Sequence, residues 1–315
     1  MPPPIAILAF DRPHYLKPVL ESLLAQRGAS LRQHRVFLFQ DGARNRYSGA
    51  WRGDPAAIAE STALFRALVP WGEVVPAGDN IGVAENVLRA ERVVFEDLAE
   101  PIAWFFEDDL LLHPDYLRNL AHLSAMALAE EAIGYVSCVG DHVAPLAVQR
   151  ARQADLVPMA MNWAFGLTRR HWQAMQPLLE PFHAAVLGQD YAARSTAAII
   201  GACQAAGLPV HSSSQDNARR VATCVLGRNA LNSVVVLGRY IGEAGLHMTP
   251  AMFRERRYGA ARWLKRVEPA FVCPDPAALA AMRAAVMAKQ VERAAAAAAR
   301  LFPAASAIPA PPARL

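Results

Sequence analysis

Three consecutive carboxylates, Glu107, Asp108 and Asp109, end an apolar run, Ile102-Ala103-Trp104-Phe105-Phe106. A second apolar step, residues 110–112, leads from them to His113-Pro114-Asp115. The first run has the length and aromatic content of a buried strand. Ligands of parallel α/β proteins gather at the carboxyl ends of strands. Three adjacent acids repel one another there unless a cation compensates. Mg²⁺ and Mn²⁺ bind through one or two carboxylates together with substrate phosphates, so the stretch reads as a metal–diphosphate site. The plain alternative is a solvated acidic turn after an ordinary strand.

The flanking sequence supplies elements that can position such a site. Residues 5–10 and 36–39 read as short buried strands around a helical pattern at Leu16, Val19, Leu20, Leu23 and Leu24, a β-α-β unit. Each strand delivers an aspartate at or just past its carboxyl end, Asp11 (followed by Arg12) and Asp41, toward one crevice. Strand-terminal aspartates are also common turn-formers and helix caps. A helix over residues 56–68 and a strand over 73–76 follow. Asp79-Asn80 then precedes a helix starting near Val83, on which Asn86 and Arg89 share a face. That helix start could hold a phosphate or a sugar hydroxyl, or simply be capped.

Beyond the acidic stretch, residues 116–129 read as a helix, 133–139 as a strand and 148–155 as a polar loop. Residues 162–167 form an aromatic-glycine segment in which Trp163 and Phe165 suit either a core or a sugar platform; an amphipathic helix, residues 171–179, follows. Gly188-Gln189-Asp190-Tyr191 opens a helix running to Ala206, with Asp190 as either an N-cap or a general base. Residues 209–211 read as a final short strand and 212–217 as a polar loop. The glycines of residues 242–247 suit a mobile loop, and His247 within it is a ligand candidate or a surface residue.

The 315 residues can hold one large α/β domain with an ample core. With 54% hydrophobic and 19% charged residues the composition is that of a globular protein. The net charge of +4 is spread rather than clustered, which argues against nucleic-acid binding. Four scattered cysteines without a CxxC pair fit neither a zinc module nor a disulfide framework. The N-terminus reads as a first strand rather than a signal peptide, and no apolar run reaches the about 18 residues of a spanning helix. The expectation is a cytoplasmic protein, at most peripheral to a membrane. Residues 277–301 are an alanine-rich helical stretch with scattered basic residues, ending in a Pro-rich tail. This helix could dock on the domain, lie on anionic lipid as a peripheral membrane contact, or pair with another chain.

The order FLFQDG, NIG and FFEDDLLLHPDYL resembles that of GT-A glycosyltransferases. It is especially similar to the eukaryotic N-acetylglucosaminyltransferase family that initiates complex N-glycans, and also resembles the large bacterial family of inverting glycosyltransferases. The likeness covers roughly residues 5–200, and its specific part is the acidic motif with Pro114-Asp115-Tyr116. It implies a Rossmann-like, mostly parallel α/β sheet flanked by helices; with the change of composition toward the C-terminus, the expectation is a catalytic domain over residues 1–272 and an appended helix and tail over 273–315. It further implies a metal-dependent, inverting transfer from a nucleotide-sugar, UDP-linked by preference, to a hydroxyl acceptor such as a bacterial glycan or lipid-linked saccharide. By the same resemblance Asp11 and Arg12 border the base and diphosphate, Asp41 bonds the uracil, and Asp109 binds Mn²⁺ or Mg²⁺. Glu107 and Asp108 touch ribose, donor sugar or metal-bound water; Asp190 is the catalytic base, and His247 sits where some GT-A enzymes add a metal or diphosphate ligand. Asn80 and Asn86 complete the expected donor site. EDD is not a plain DxD, and residues 212–239 carry no family motif, so the acceptor side is open. Three other readings compete, a Rossmann dehydrogenase, disfavoured by the lack of GxGxxG after the first strand, a catalytically silent nucleotide-sugar or glycan binder, and a nucleotidyltransferase. The last usually has a glycine-rich segment after its first strand, where this chain has FDRPHYL.

Overall fold

In β1 (Ile5–Ala9) Ile5 and Ile7 enter one apolar core while Ala6 and Leu8 enter another, because successive side chains of a strand point to opposite faces. A strand buried on both faces belongs inside a layered α/β sheet. The computed structural model describes residues 2–245 and 248–303 and has that architecture. The elements run β1, α1 (Pro13–Leu24), β2 (Val36–Gln40), α2 (Pro55–Leu68), β3 (Glu73–Pro76), α3 (Gly82–Arg92) and β4 (Ile102–Glu107). They continue with β5 (Leu110–Leu112), α4 (Tyr116–Ala129), β6 (Ile133–Ser137), α5 (Leu146–Ala151), β7 (Leu156–Pro158), β8 (Ala164–Thr168) and α6 (Arg169–Val186). The last are α7 (Thr196–Ala205), α8 (Gln215–Val225), β9 (Asn229–Ser233), β10 (Gly238–Tyr240), α9 (Pro250–Glu255) and α10 (Pro276–Leu301).

Eight strands form one sheet in the order β3-β2-β1-β4-β8-β6-β9-β7. Strands β1, β2, β3, β4, β6 and β9 run one way, and β8 and β7 the other. Helices α1, α2 and α4 cover one face, and α3, α6, α7 and α8 the other. The chain winds outward from β1 to β3 and then returns to place β4 on the opposite side of β1, with Leu8 in register with Glu107. The strand order therefore reverses between β1 and β4, where such sheets open a ligand crevice at their carboxyl ends. A separate antiparallel pair, β5 with β10, brings Tyr240 opposite Leu110, beside Asp109.

His113-Pro114-Asp115 fastens the C-terminal segment. Asp115 is fully buried; it accepts from Arg27 at 3.0 and 2.6 Å and from Val267 N at 2.9 Å, and lies 3.1 Å from Arg118 Nε. On the other face Glu91 and Arg219 form a buried ion pair, completed by Trp172 Nε1 donating to Glu91 Oε2 at 3.2 Å and Arg219 donating to the Tyr135 hydroxyl at 3.4 Å. This pair joins α3, α6 and α8. Removing one member strands a buried charge, so Glu91→Ala is expected to lose about 3–5 kcal/mol of stability, read as a lower midpoint in urea unfolding.

Four local expectations are corrected. Residues 148–155 are partly helical, because α5 turns the Gln149 side chain inward to donate to Ala144 O and Arg262 O, both at 2.9 Å. Residues 188–206 are not one helix: Ser195 caps a separate α7, its Oγ accepting from Ala198 N, after a short 3₁₀ turn at Tyr191–Ala193. Residues 209–211 form no strand, since Gln204 takes Val210 O at 2.9 Å and Asn217 takes His211 N at 2.8 Å, leaving little backbone to pair. The polar residues after Ser214 open α8. The alanine-rich α10 docks on the domain and buries Leu279, Gln290, Ala294, Ala297 and Ala298. Gln290 Oε1 accepts from Asn217 Nδ2 at 2.6 Å. Most of the Pro-rich tail, from residue 304 on, lies outside the described residues. Among those described, no helix is long and apolar enough to cross a membrane.

Candidate active site

Asp11 and Arg12 leave β1 where Glu107, Asp108 and Asp109 leave β4, so the sheet's reversal brings the two groups together. Arg12 donates to Asp109 Oδ2 at 2.7 Å and to Asp108 Oδ1. Asp109 Oδ1 is buried and has no partner among the described residues. Burial pushes the Asp108 carboxyl up to about 6, with Arg12 opposing and Asp109 adding to the rise. Glu107 is raised by burial and then by the charges of Asp109 and Asp216; Asp109 is raised by burial despite Arg12. For Arg12, burial alone would favour the neutral form, but Asp108 and Asp109 outweigh it and raise its pKa. One guanidinium thus incompletely neutralises three crowded acids. Gly242 closes over them: a Cβ there would stand 2.5 Å from Asp109 Oδ2 and 2.6 Å from the Tyr240 hydroxyl.

Among the described residues no three His, Cys, Asp or Glu side chains converge as a metal-binding set. The unpartnered Asp109 oxygen nonetheless suits Mg²⁺ or Mn²⁺, which can take one protein carboxylate and draw the rest of their ligands from substrate phosphates and water. His247 lies outside the described residues.

Several predicted ligands face into the fold. Asp41 Oδ1 accepts from Gly42 N at 2.8 Å and Ile81 N at 2.9 Å; Oδ2 accepts from Asn80 Nδ2 at 2.9 Å and Gly82 N at 3.0 Å. Those four bonds fill the carboxylate's acceptor sites. Asn86 donates to Phe39 O at 3.0 Å and accepts from Arg89 at 2.8 Å. Asp41, Asn80 and Asn86 therefore shape the ends of β2 and α3. Asp11 is half-exposed and among the described residues receives a long contact, 3.4 Å, from Asp54 N.

Asp190 is also engaged. Its Oδ2 accepts from Ser48 Oγ and from Arg52, whose Nε lies at 3.0 Å, and its Oδ1 accepts from Ala192 N at 3.0 Å. Burial works against its ionisation, but the bonds from Arg52, Ser48 and Ala192 prevail and hold the carboxyl below its usual range. A carboxylate so held is a poor proton acceptor. Asp190 clamps residues 43–53 to the turn before α7.

The carboxylate that sequence reasoning passed over is Asp216. Ser214 caps α8, its Oγ accepting from Asp216 N at 3.2 Å, and Asp216 occupies the first turn. With Glu107, Asn162, Trp163, Gln215 and Arg219 it lines one hollow. Burial raises its pKa, opposed by Arg220, Arg219 and the Asn162 N–H. The Trp163 ring, half-buried in the same wall, stacks on Tyr240 at 4.6 Å between centroids, whereas Phe165 is core. The available signal was Ser214-Gln215-Asp216, a helix-capping pattern.

No protein-family model matches the chain, and no curated protein matches its sequence. Among solved structures it is similar to TarS of S. aureus at 11% identity, over 93% of this chain and 43% of that one, with a TM-score of 0.46. It is also similar to glucosyl-3-phosphoglycerate synthase from Mycobacterium tuberculosis, solved with Mn²⁺, UDP and glucosyl-3-phosphoglycerate. There the identity is 13%, over 54% of this chain and 57% of that one, with a TM-score of 0.33. An active-site mutant of LgtC matches at 14% identity over 83% of this chain and 97% of that one, with a TM-score of 0.33. The chain thus spans less than half the length of TarS. Likenesses this remote say nothing about substrate.

Proposed function

We propose that this chain is a metal-dependent, inverting glycosyltransferase of GT-A type that moves a sugar from a nucleotide-sugar, UDP-linked by preference, to a hydroxyl acceptor. The observation that carries the reading is one hollow with the strand-end Glu107 on one wall and a helix-borne Asp216, of raised pKa, on another; Glu107 is next in sequence to the Asp108 and Asp109 that Arg12 bridges. Arg12 meets the diphosphate, exchanging carboxylate oxygens for phosphate oxygens that suit its fork equally well. Asp11 borders the nucleoside. Asp109 presents its free oxygen to the divalent ion, which when bound would neutralise charge on the departing diphosphate. Glu107 and Asp108 hydrogen-bond ribose or donor sugar.

Asp216 takes the proton of the acceptor hydroxyl as that oxygen forms its bond to the anomeric carbon and the bond to the diphosphate breaks on the opposite face. The stacked Trp163 and Tyr240 offer an apolar wall for a sugar ring. Asp41 serves indirectly, by fixing residues 80–82 beside the base site, and Asp190 serves by holding residues 43–53.

The test is thermal melting of the full chain with UDP, GDP, CDP and TDP, each with and without Mn²⁺, followed by assay of UDP-sugar turnover. Ligand at 100 times its Kd adds about 2.7 kcal/mol to the native state, so selective stabilisation by UDP with Mn²⁺ is the expected result. No response to any nucleotide refutes the reading, and binding without turnover of any donor leaves only a silent nucleotide-sugar binder.

A further inference from the structure

A different face of α8 borders a second hollow, lined by Arg220, Thr223, Cys224, Arg228, Asn229 and Arg283 among others. Arg220 comes from α8, Arg228 from the turn before β9 and Arg283 from α10, and no carboxylate lines the space. Arg220 donates to Ala160 O, and Arg228 donates to Arg170 O at 3.2 Å. Arg283 is half-buried and makes no hydrogen bond or ion pair among the described residues. Acting on Arg220 are Asp216, outside this lining, Cys224, within it, and Arg293, which adds to the positive field. Acting on Arg228 are Arg170, which also adds to that field, and Glu131, outside the lining, which opposes it. Three arginines brought to one hollow repel one another unless an anion is drawn in. Their planar forks match tetrahedral oxyanions.

We propose that this hollow binds a phosphate-class oxyanion, at a site separate from the nucleotide crevice. The site does not depend on the transferase reading. It does bear on it: Arg220 lies one helical turn after Asp216, and its partner Ala160 lies two residues before Asn162, whose N–H faces Asp216. An anion drawn to Arg220 therefore adjusts the wall that carries the proposed base.

The test is titration of the full chain with potassium phosphate against potassium chloride at equal ionic strength. Two readouts apply, the melting temperature and the rate of iodoacetamide labelling of Cys224 followed on its own peptide. Phosphate is expected to raise the melting temperature saturably and to slow Cys224 labelling several-fold. In Arg283→Gln, which without phosphate should melt like the parent because Arg283 makes no hydrogen bond or ion pair among the described residues, both effects should need about tenfold more phosphate. In Arg12→Gln both should persist. Equal effects of chloride and phosphate, an unchanged response in Arg283→Gln, or loss in Arg12→Gln alone would overturn the proposal. Dimethyl phosphate separates the sources. Binding as strong as that of phosphate supports a phosphodiester carried by a larger molecule, and binding of phosphate alone supports the free dianion or a monoester.

Discussion

An Asp216→Asn variant is expected to lose about 10²–10⁴-fold in kcat while binding UDP with Mn²⁺ as the parent does. The substitution keeps the shape of the side chain and its acceptor for the Asn162 N–H, and removes the negative charge that faces Arg219 and Arg220 together with the capacity to take a proton. Asp216 suits that task because burial raises its pKa above the 3.8 of a free aspartate, making it a stronger base than a solvated carboxylate. The proton must be absent for the base to work, so turnover rises with pH through that raised value. The acidic limb of the kcat profile should therefore lie above 3.8 and vanish in the variant's residual activity. Asp190→Ala provides the contrast. It deletes the partner of Arg52 and Ser48 and a cap worth about 1 kcal/mol, so it should lower the melting temperature while changing kcat less than about tenfold. Normal turnover in Asp216→Asn, or complete loss in a well-folded Asp190→Ala, would return the base to Asp190.

The second large effect belongs to Asp109→Asn. Its unpartnered oxygen is the feature that suits a divalent ion, and an amide oxygen without charge is a far weaker ligand. Binding of UDP in the presence of Mn²⁺ should weaken at least about 100-fold, or about 2.7 kcal/mol, and binding without metal should change little. The free protein should melt no lower than the parent. The pKa of Asp109 is raised in the fold, chiefly by burial, so its ionised form is a net cost to the native state at neutral pH. Residues kept for function often carry such a cost. A variant that keeps metal-dependent UDP binding removes Asp109 as the ligand. A parent that binds UDP tightly without metal instead assigns the diphosphate's countercharge to Arg12 alone.

Strands β1, β2 and β4, helix α4 and the acidic end of β4 were legible because each is written in local pattern, apolar runs closing on polar residues. Helix α8 was not. It buries Ala218, Val221 and Ala222 at helical spacing, but interleaves them with the equally buried Asn217, Arg219 and Thr223, and its fit depends on Glu91, which lies 128 residues away. Asp41, Asn80 and Asn86 could be placed at the crevice, but not oriented. Whether an Asp at a strand end meets a ligand or the backbone of a neighbouring loop is settled by donors such as Ile81 N and Gly82 N.

By itself the sequence determined a layered α/β chain with carboxylates and an arginine at the ends of its first and fourth strands, since strand length, burial on two faces and register all follow from nearby residues. It also wrote Gln-Asp twice near a helix start, at 189–190 and 215–216, with nothing local to tell the two apart. Only the tertiary structure gave them different surroundings. It brought Ser48, 142 residues distant, and Arg52, 138 residues distant, onto Asp190, and it set Asp216 across a hollow from Glu107. A carboxylate's chemistry depends on the charge and solvent it meets, and the folded chain supplies both.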